Sequence, residues 1–219
     1  MWLNIIIGWE EMLGIIFTGG LGPDSQIVKK LLETEAKDAL IVAADSGLVA
    51  AKKAGIEPDW VIGDFDSLDD LSMLNALPKE RVIRLLHEKD CTDTEAAVSL
   101  VKEKGCNCFW IIGGGGGRID HLFGIRSIFE KDFFPSRWIT DSADIWCVDK
   151  EICLSLEKEA VVSVFPLGSG PWEAKSSGLK WQLEGLPWNR GFFGLSNVAV
   201  DGKFSIEVKS GRFMVILPN

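Results

Sequence analysis

Apolar positions follow two patterns along the chain. From Leu13 to about Asp149, short apolar runs end abruptly in polar or glycine-rich turns. Leu13–Phe17, Ala39–Ala44, Trp60–Ile62, Arg81–Leu85 and Phe109–Ile112 read as strands, most of them apolar enough to be covered on both faces. Helical segments lie between them. Ser25 can cap one that runs through Leu31, and another follows Asp45-Ser46-Gly47 and ends near Gly55. Thr92-Asp93-Thr94-Glu95 has the form of a capping box and opens a helix to Lys104, with Gly105 at its end. A last helix follows the Gly113–Gly117 run. Strands alternating with helices predict an α/β unit built on a mostly parallel sheet with flanking helices.

After Asp149 the pattern changes. Ile152–Leu156, Val161–Phe165, Leu179–Leu183, Asn197–Val200, Phe204–Val208 and Phe213–Leu217 are strand-like, separated by turn signals at Gly168-Ser169-Gly170, Gly185, Asp201-Gly202 and Ser210-Gly211. Asp201-Gly202 between apolar runs predicts a hairpin. With no further helix, this part reads as a small antiparallel β-sandwich or barrel. The expected organisation is an α/β domain over residues 1–149 and a β-sandwich over 150–219. Residues 1–12 form a possible extra N-terminal segment, with Met1 or Met12 as initiator. The segment is apolar at Leu3–Ile7 but has no basic flank and is too short to span a bilayer.

Composition narrows the function classes. A formal net charge of −9 over 219 residues, with no basic run, argues against a nucleic-acid partner. Cys91, Cys106, Cys108, Cys147 and Cys153 are odd in number and contain no CxxC pair, so a disulfide framework is not expected and a reducing, cytoplasmic setting is. With His87 and His121 as the sole histidines, a closed structural zinc site is not expected either.

Ligands of open parallel sheets bind beyond the carboxyl ends of the strands. Those ends carry Asp45, then Asp64 and Asp66, then Lys89, Asp90 and Asp93, then Gly113–Gly117 with Arg118, Asp120 and His121. A single aspartate after a strand is usually a turn former or helix cap. In Gly63-Asp64-Phe65-Asp66-Ser67, however, two carboxylates flank an apolar residue, so both can face one side while Phe65 anchors the loop. If Asp45, Asp64, Asp66 and Asp93 converge, their mutual repulsion calls for a cation, and oxygen ligands favour Mg²⁺. The glycine run can bring backbone N–H groups to a phosphate, with Arg118 and Lys89 as cationic partners. No Gly-Lys-Ser/Thr follows it, so it is not a P-loop. The lone His121 is read as a packed or hydrogen-bonded structural residue.

Four motifs occur in order: Ala44-Asp45-Ser46-Gly47, Pro58 to Ser67, Lys89 to Glu95, and Gly113 to His121. Together with Gly178-Leu179-Lys180-Trp181 and Gly194-Leu195-Ser196-Asn197, the series resembles the thiamine pyrophosphokinase family over nearly all of the chain from Leu13. The resemblance implies a Rossmann-like ATP-binding domain, a thiamine-binding β-sandwich, and transfer of the pyrophosphoryl group of ATP to the hydroxyl of thiamine. It implies Asp64, Asp66 and Asp93 as Mg²⁺ ligands with Asp45 close by. ATP would be held by Asp45, Ser46, Lys89, Thr92, Gly114, Gly116, Gly117 and Arg118. Arg118 and Asp120 would join the three aspartates in catalysis, and Ser196 and Asn197 would hydrogen-bond thiamine. Trp181 offers the thiamine cation an indole face. A homodimer with its active sites between subunits is implied, with no membrane partner. The same scaffold could serve another alcohol such as a pterin, or a non-catalytic nucleotide- or thiamine-binding module. The segment Leu122-Phe123-Gly124-Ile125-Arg126 lacks the asparagine that the family often has there, and Pro187-Trp188-Asn189-Arg190 has no clear counterpart.

Overall fold

A computed structural model describes residues 12–68 and 70–219. The possible extra N-terminal segment, apart from Met12, lies outside the described residues. The chain divides into two compact units after Ser142.

The first unit contains strands β1 (Leu13–Phe17), β2 (Leu40–Ala44), β3 (Trp60–Gly63), β4 (Val82–Arg84), β5 (Cys108–Ile112) and β6 (Arg137–Ile139). Its helices are α1 (Ser25–Glu35), α2 (Gly47–Lys53), α3 (Asp93–Glu103) and α4 (Ile119–Ile128). The strands lie in the order β6-β5-β1-β2-β3-β4, and every pairing in that set is parallel. Strand order reverses between β1 and β5, so a crevice is expected beyond their carboxyl ends.

The helices sit where the apolar periodicity put them, with local differences. The cap of α1 is Asp24, whose carboxylate accepts from the Gln26 N–H, so Ser25 becomes the first helical residue. That helix passes Leu31 and continues to Glu35, because its buried stripe of Val28, Leu31 and Leu32 is followed by buried Ala36. In α3 the predicted capping box is complete: Thr92 accepts from the Glu95 N–H, and Glu95 accepts from the Thr92 N–H. The core of this unit gathers Ile15, Phe17, Val28, Leu32, Ala43, Leu48, Val61 and Phe65.

The second unit, Ala143–Asn219, contains β7 (Ala143–Val148), β8 (Glu151–Ser155), β9 (Ala160–Leu167), β10 (Glu173–Ser177), β11 (Gly194–Ala199), β12 (Lys203–Ser210) and β13 (Arg212–Pro218). Its strands form two antiparallel layers, β11-β9-β13-β7 and β10-β12-β8. Val162, Val164 and Val215 from one layer meet Ile152, Phe204 and Ile206 from the other in a shared core. Each such side chain contributes roughly 1.5–3 kcal/mol by leaving water.

Two strand readings need correction here. Asp201-Gly202 does turn the chain, with Gly202 at φ 74°, but it joins no hairpin: β11 pairs with β9, whereas β12 pairs with β8 and β10. The turn carries the chain from one layer to the other. Leu179–Leu183 alternates like a strand yet forms only the isolated bridge Leu179↔Ala199. Leu179 and Leu183 are buried, but side chains satisfy the backbone there: Leu183 N–H donates to Ser176 Oγ and Trp181 N–H to Asn197 Oδ1. Of the alternating apolar positions Leu179 and Leu183 are buried while Trp181 is exposed, so the alternation marked neither a ladder nor one buried face.

Candidate active site

The acidic residues are set by strand register. β2 ends at Ala44, paired to Ile62, and β3 ends at Gly63, paired to Arg84. The ladders continue one residue further: Asp45 N–H donates to Ile62 O and Leu85 N–H to Gly63 O, both at 2.9 Å. Asp45 adopts φ 48°, and a Cβ on Gly63 would stand 3.1 Å from the Asp45 Cα, so the glycine permits this close approach. Next, Phe65 turns down into the core at 3 % exposure, with φ 62°. Asp64 and Asp66 are left to face one side, and both reach the same imidazole: His87 Nδ1 is 3.2 Å from Asp64 Oδ2 and 3.4 Å from Asp66 Oδ2. Arg84 stands over the Phe65 ring at 5.2 Å and covers the anchor.

Asp93 arrives with α3. The Thr94 hydroxyl meets the Thr18 hydroxyl at 2.6 Å in the interior, tying the first turn of α3 to the end of β1. Lys89 then bridges two acids, its Nζ 3.2 Å from both Asp64 Oδ2 and Asp93 Oδ1. Asp45 accepts a hydrogen bond from the Ser67 hydroxyl through Oδ2, while its Oδ1 is buried with no hydrogen-bond partner.

The electrostatics follow from this crowding. Burial pushes the Asp93 carboxyl up, and the charges of Asp64 and Asp45 add to the rise, outweighing Lys89. Burial also pushes Asp64 up, but the Asp66 N–H, Lys89 and His87 together hold it below the usual carboxylate range. Desolvation lowers the Lys89 ammonium, and bonds to Asp64 and Asp93 more than restore it. Two carboxylates sharing one ammonium, with Asp45 repelling Asp93 and keeping an orphaned carboxylate oxygen, fit a divalent cation.

The glycine run divides in two. The N–H groups of Gly113, Gly114 and Gly115 donate to Ile139 O, Gly19 O and Leu21 O, so they build the loop by pairing it with the end of β6 and with Gly19–Leu21. A side chain at Gly114, where φ is 76°, would collide with Ile125. Gly114 is thus placed in the scaffold. Gly116 and Gly117 are exposed with positive φ, and open space surrounds Gly117. Arg118 forks onto Asp120, with Nη2 at 2.5 Å from Oδ2 and Nε at 3.2 Å from Oδ1. That pairing holds the exposed Asp120 carboxyl at about 2. Ser46 precedes α2 without a side-chain cap bond, whereas the Thr92 hydroxyl is committed to Glu95. His121 is exposed, so it is not a packed core residue.

In the second unit, Trp181, Leu183, Phe192, Phe193, Leu195 and Asn197 line a pocket of about 260 Å³. Trp181 is 55 % exposed and carries Lys180 Nζ 4.6 Å from its ring centroid. Asn197 is buried, and its amide serves the chain: Oδ1 accepts from Trp181 N–H and Val198 N–H, and Nδ2 donates to Trp181 O at 2.6 Å. Ser196 is exposed at φ 57°, with its N–H donating to Ser163 Oγ.

Sequence reasoning did not identify His87, Ser67 or the Thr18–Thr94 pair. For His87 the available signal was its position three residues beyond Arg84, matching Asp66 three beyond Gly63.

Comparison with known proteins covers both units. Residues 31–134 match the family description "Thiamin pyrophosphokinase, catalytic domain" and residues 150–213 match "Thiamin pyrophosphokinase, vitamin B1 binding domain". The thiamine pyrophosphokinase of Bacillus subtilis is 25 % identical over 177 residues, spanning 74 % of this chain and 78 % of its own. Crystal structures share the fold: that of the Bacillus subtilis protein superposes with TM-score 0.76 at 24 % identity, covering 95 % of this chain and 99 % of that one. Thiamin pyrophosphokinase from Candida albicans gives 0.70 at 15 % identity, covering 96 % and 90 %.

Proposed function

The chain belongs to the thiamin pyrophosphokinase family, and from that premise we propose that it transfers the pyrophosphoryl group of ATP to the primary hydroxyl of thiamine, giving thiamine diphosphate and AMP. The observation that carries the reading is the set of carboxylates at successive strand ends: Asp64 and Asp93 bridged by Lys89, Asp45 close enough to raise Asp93, and Asp66 sharing His87 with Asp64. The α/β unit is the ATP-binding part in this reading and the sandwich is the thiamine-binding part.

Asp64, Asp66 and Asp93 hold Mg²⁺, with Asp45 beside them. When bound, Mg²⁺ neutralises charge developing on the phosphate oxygens. Lys89 presents its ammonium to the triphosphate, and Gly116 and Gly117 present free backbone N–H groups, with the Gly114 scaffold behind them. Arg118, oriented by Asp120, adds a fork of donors. Ser46 offers a hydroxyl, and Thr92 acts by fixing the first turn of α3 and hence Asp93. Trp181 stacks on the thiamine cation, Ser196 hydrogen-bonds it, and Asn197 lies beneath the same pocket.

In the transfer the thiamine hydroxyl oxygen bonds to the β-phosphorus in line. The bond from that phosphorus to the α,β-bridging oxygen breaks, and AMP departs. The hydroxyl proton leaves to a carboxylate or water. Asp120, held near 2 by Arg118, is a weak acceptor and serves to orient Arg118.

The working form in this reading is a cytoplasmic homodimer whose sites are completed by the partner subunit. Exposed apolar side chains of α4, Ile119 at 70 % and Phe123 at 61 %, are of the kind an interface covers. The reading is tested with ATP labelled at the β-phosphorus. Label should pass into thiamine diphosphate; label recovered as ADP or free phosphate would overturn it.

A further inference from the structure

β3 and β4 end in register, Gly63 beside Arg84, and the third residue after each end carries a side chain able to bind a metal: Asp66 from one, His87 from the other, 3.4 Å apart. With Asp64, these three side chains bring one ligand atom each to within 4.8 Å of one another. Adjacent donors around a six-coordinate cation with bonds of about 2.1 Å stand roughly 3 Å apart, close to the 3.2 and 3.4 Å that separate His87 Nδ1 from the Asp64 and Asp66 oxygens. The imidazole hangs on the solvent side, 77 % exposed, while Asp64 is 12 % exposed at the base. Lys89 approaches Asp64 from the Asp93 side, and His87 approaches it from the Asp66 side.

We propose that His87 supplies a nitrogen ligand to the divalent cation held by Asp64 and Asp66, making this position a mixed nitrogen–oxygen site that takes first-row transition cations such as Mn²⁺ as well as Mg²⁺. An all-carboxylate position suits hard Mg²⁺, which is held by oxygen and keeps its waters. An imidazole adds affinity for first-row transition cations and little for Mg²⁺. His87 therefore widens the choice of metal and does not set the group transferred. The inference rests on the metal-holding role of Asp64 and Asp66 in the reading above.

The test uses the full chain without substrates, at a pH of about 8, where an ordinary imidazole is neutral. Mn²⁺ is titrated and the bound ion examined by pulsed paramagnetic resonance. Wild type should show nitrogen modulation from one imidazole. His87→Ala and the similar-sized His87→Gln should lose that modulation and weaken Mn²⁺ binding by about 10-fold, with Mg²⁺ binding changed less than about twofold. Mn²⁺ bound without nitrogen modulation in wild type, or equally tight in His87→Ala, would overturn the role of His87 and leave the carboxylates standing. No Mn²⁺ binding to wild type, or Mn²⁺ binding unaffected by Asp64→Asn, would overturn the carboxylate site as well.

Discussion

Asp64 is the carboxylate on which the Lys89 ammonium and the His87 imidazole converge, both at 3.2 Å. Asp64→Ala should lower turnover by at least about 100-fold, since it removes a metal ligand and frees Lys89, while the fold, anchored by Phe65, stays intact by circular dichroism. Near-normal turnover would remove Asp64 from the site. Asn197 makes a different case. A signature containing Ser196 and Asn197 can be read directly as a substrate contact, yet the Asn197 amide is joined to the Trp181 backbone in both directions. Asn197→Ala should therefore raise the KM for thiamine by displacing Trp181, and Trp181→Ala should raise it by about 3- to 30-fold, the worth of one cation–indole contact. If Asn197→Ala leaves KM unchanged while Trp181→Ala raises it, the positioning role is wrong. The Asp64 and Asp66 pair was legible because Phe65 between them had to be buried. The partner of Asn197 was not, since nothing in Lys180-Trp181-Gln182 shows that its backbone needs a side-chain acceptor.

Elements place these residues, and α3 is the most consequential. Its capping box was readable from four letters, but its docking was not. The Thr18–Thr94 hydroxyl bond joins positions 76 apart in sequence, and either threonine alone looks like an ordinary turn or helix residue. Thr94→Val leaves the Thr18 hydroxyl buried without a partner, which costs about 1–3 kcal/mol. A lowered midpoint, by roughly 2–10 °C in a thermal melt, should accompany a loss of activity as Asp93 shifts. An unchanged midpoint would show that packing alone seats the helix. Parallel strands β1 to β5 were legible as short apolar runs, whereas the three-residue β6 was not, since Arg137 opens it and only Trp138 and Ile139 are apolar. β10 was not, since Glu173–Ser177 is polar and buries only Ala174 fully. Leu179–Leu183 misled for the converse reason: its alternating apolar residues belong to a loop that buries Leu179 and Leu183, exposes Trp181, and has amides satisfied by Ser176 and Asn197.

Over the molecule as a whole, the change from runs with helices to short alternating strands marks two architectures, and both are present. The compact units divide after Ser142, ahead of the change at Asp149, because β7 already belongs with the sandwich strands β13 and β9. Among the described residues no helix is long and apolar enough to cross a membrane. Among the described residues the five cysteines form no disulfide with one another. Exposed Ile119, Phe123, Trp181, Phe193 and Leu195 predict self-association, so sedimentation should give twice the chain mass of 24.1 kDa. A monomer at micromolar concentration would contradict the dimeric reading. The most direct test remains the reaction itself, run with ATP and Mg²⁺ in the presence and absence of thiamine, with nucleotides and thiamine esters separated by chromatography. AMP and thiamine diphosphate should rise together in equal amounts, and only when thiamine is present. ADP with thiamine monophosphate, phosphate released without an acceptor, or no turnover would contradict pyrophosphoryl transfer by this chain.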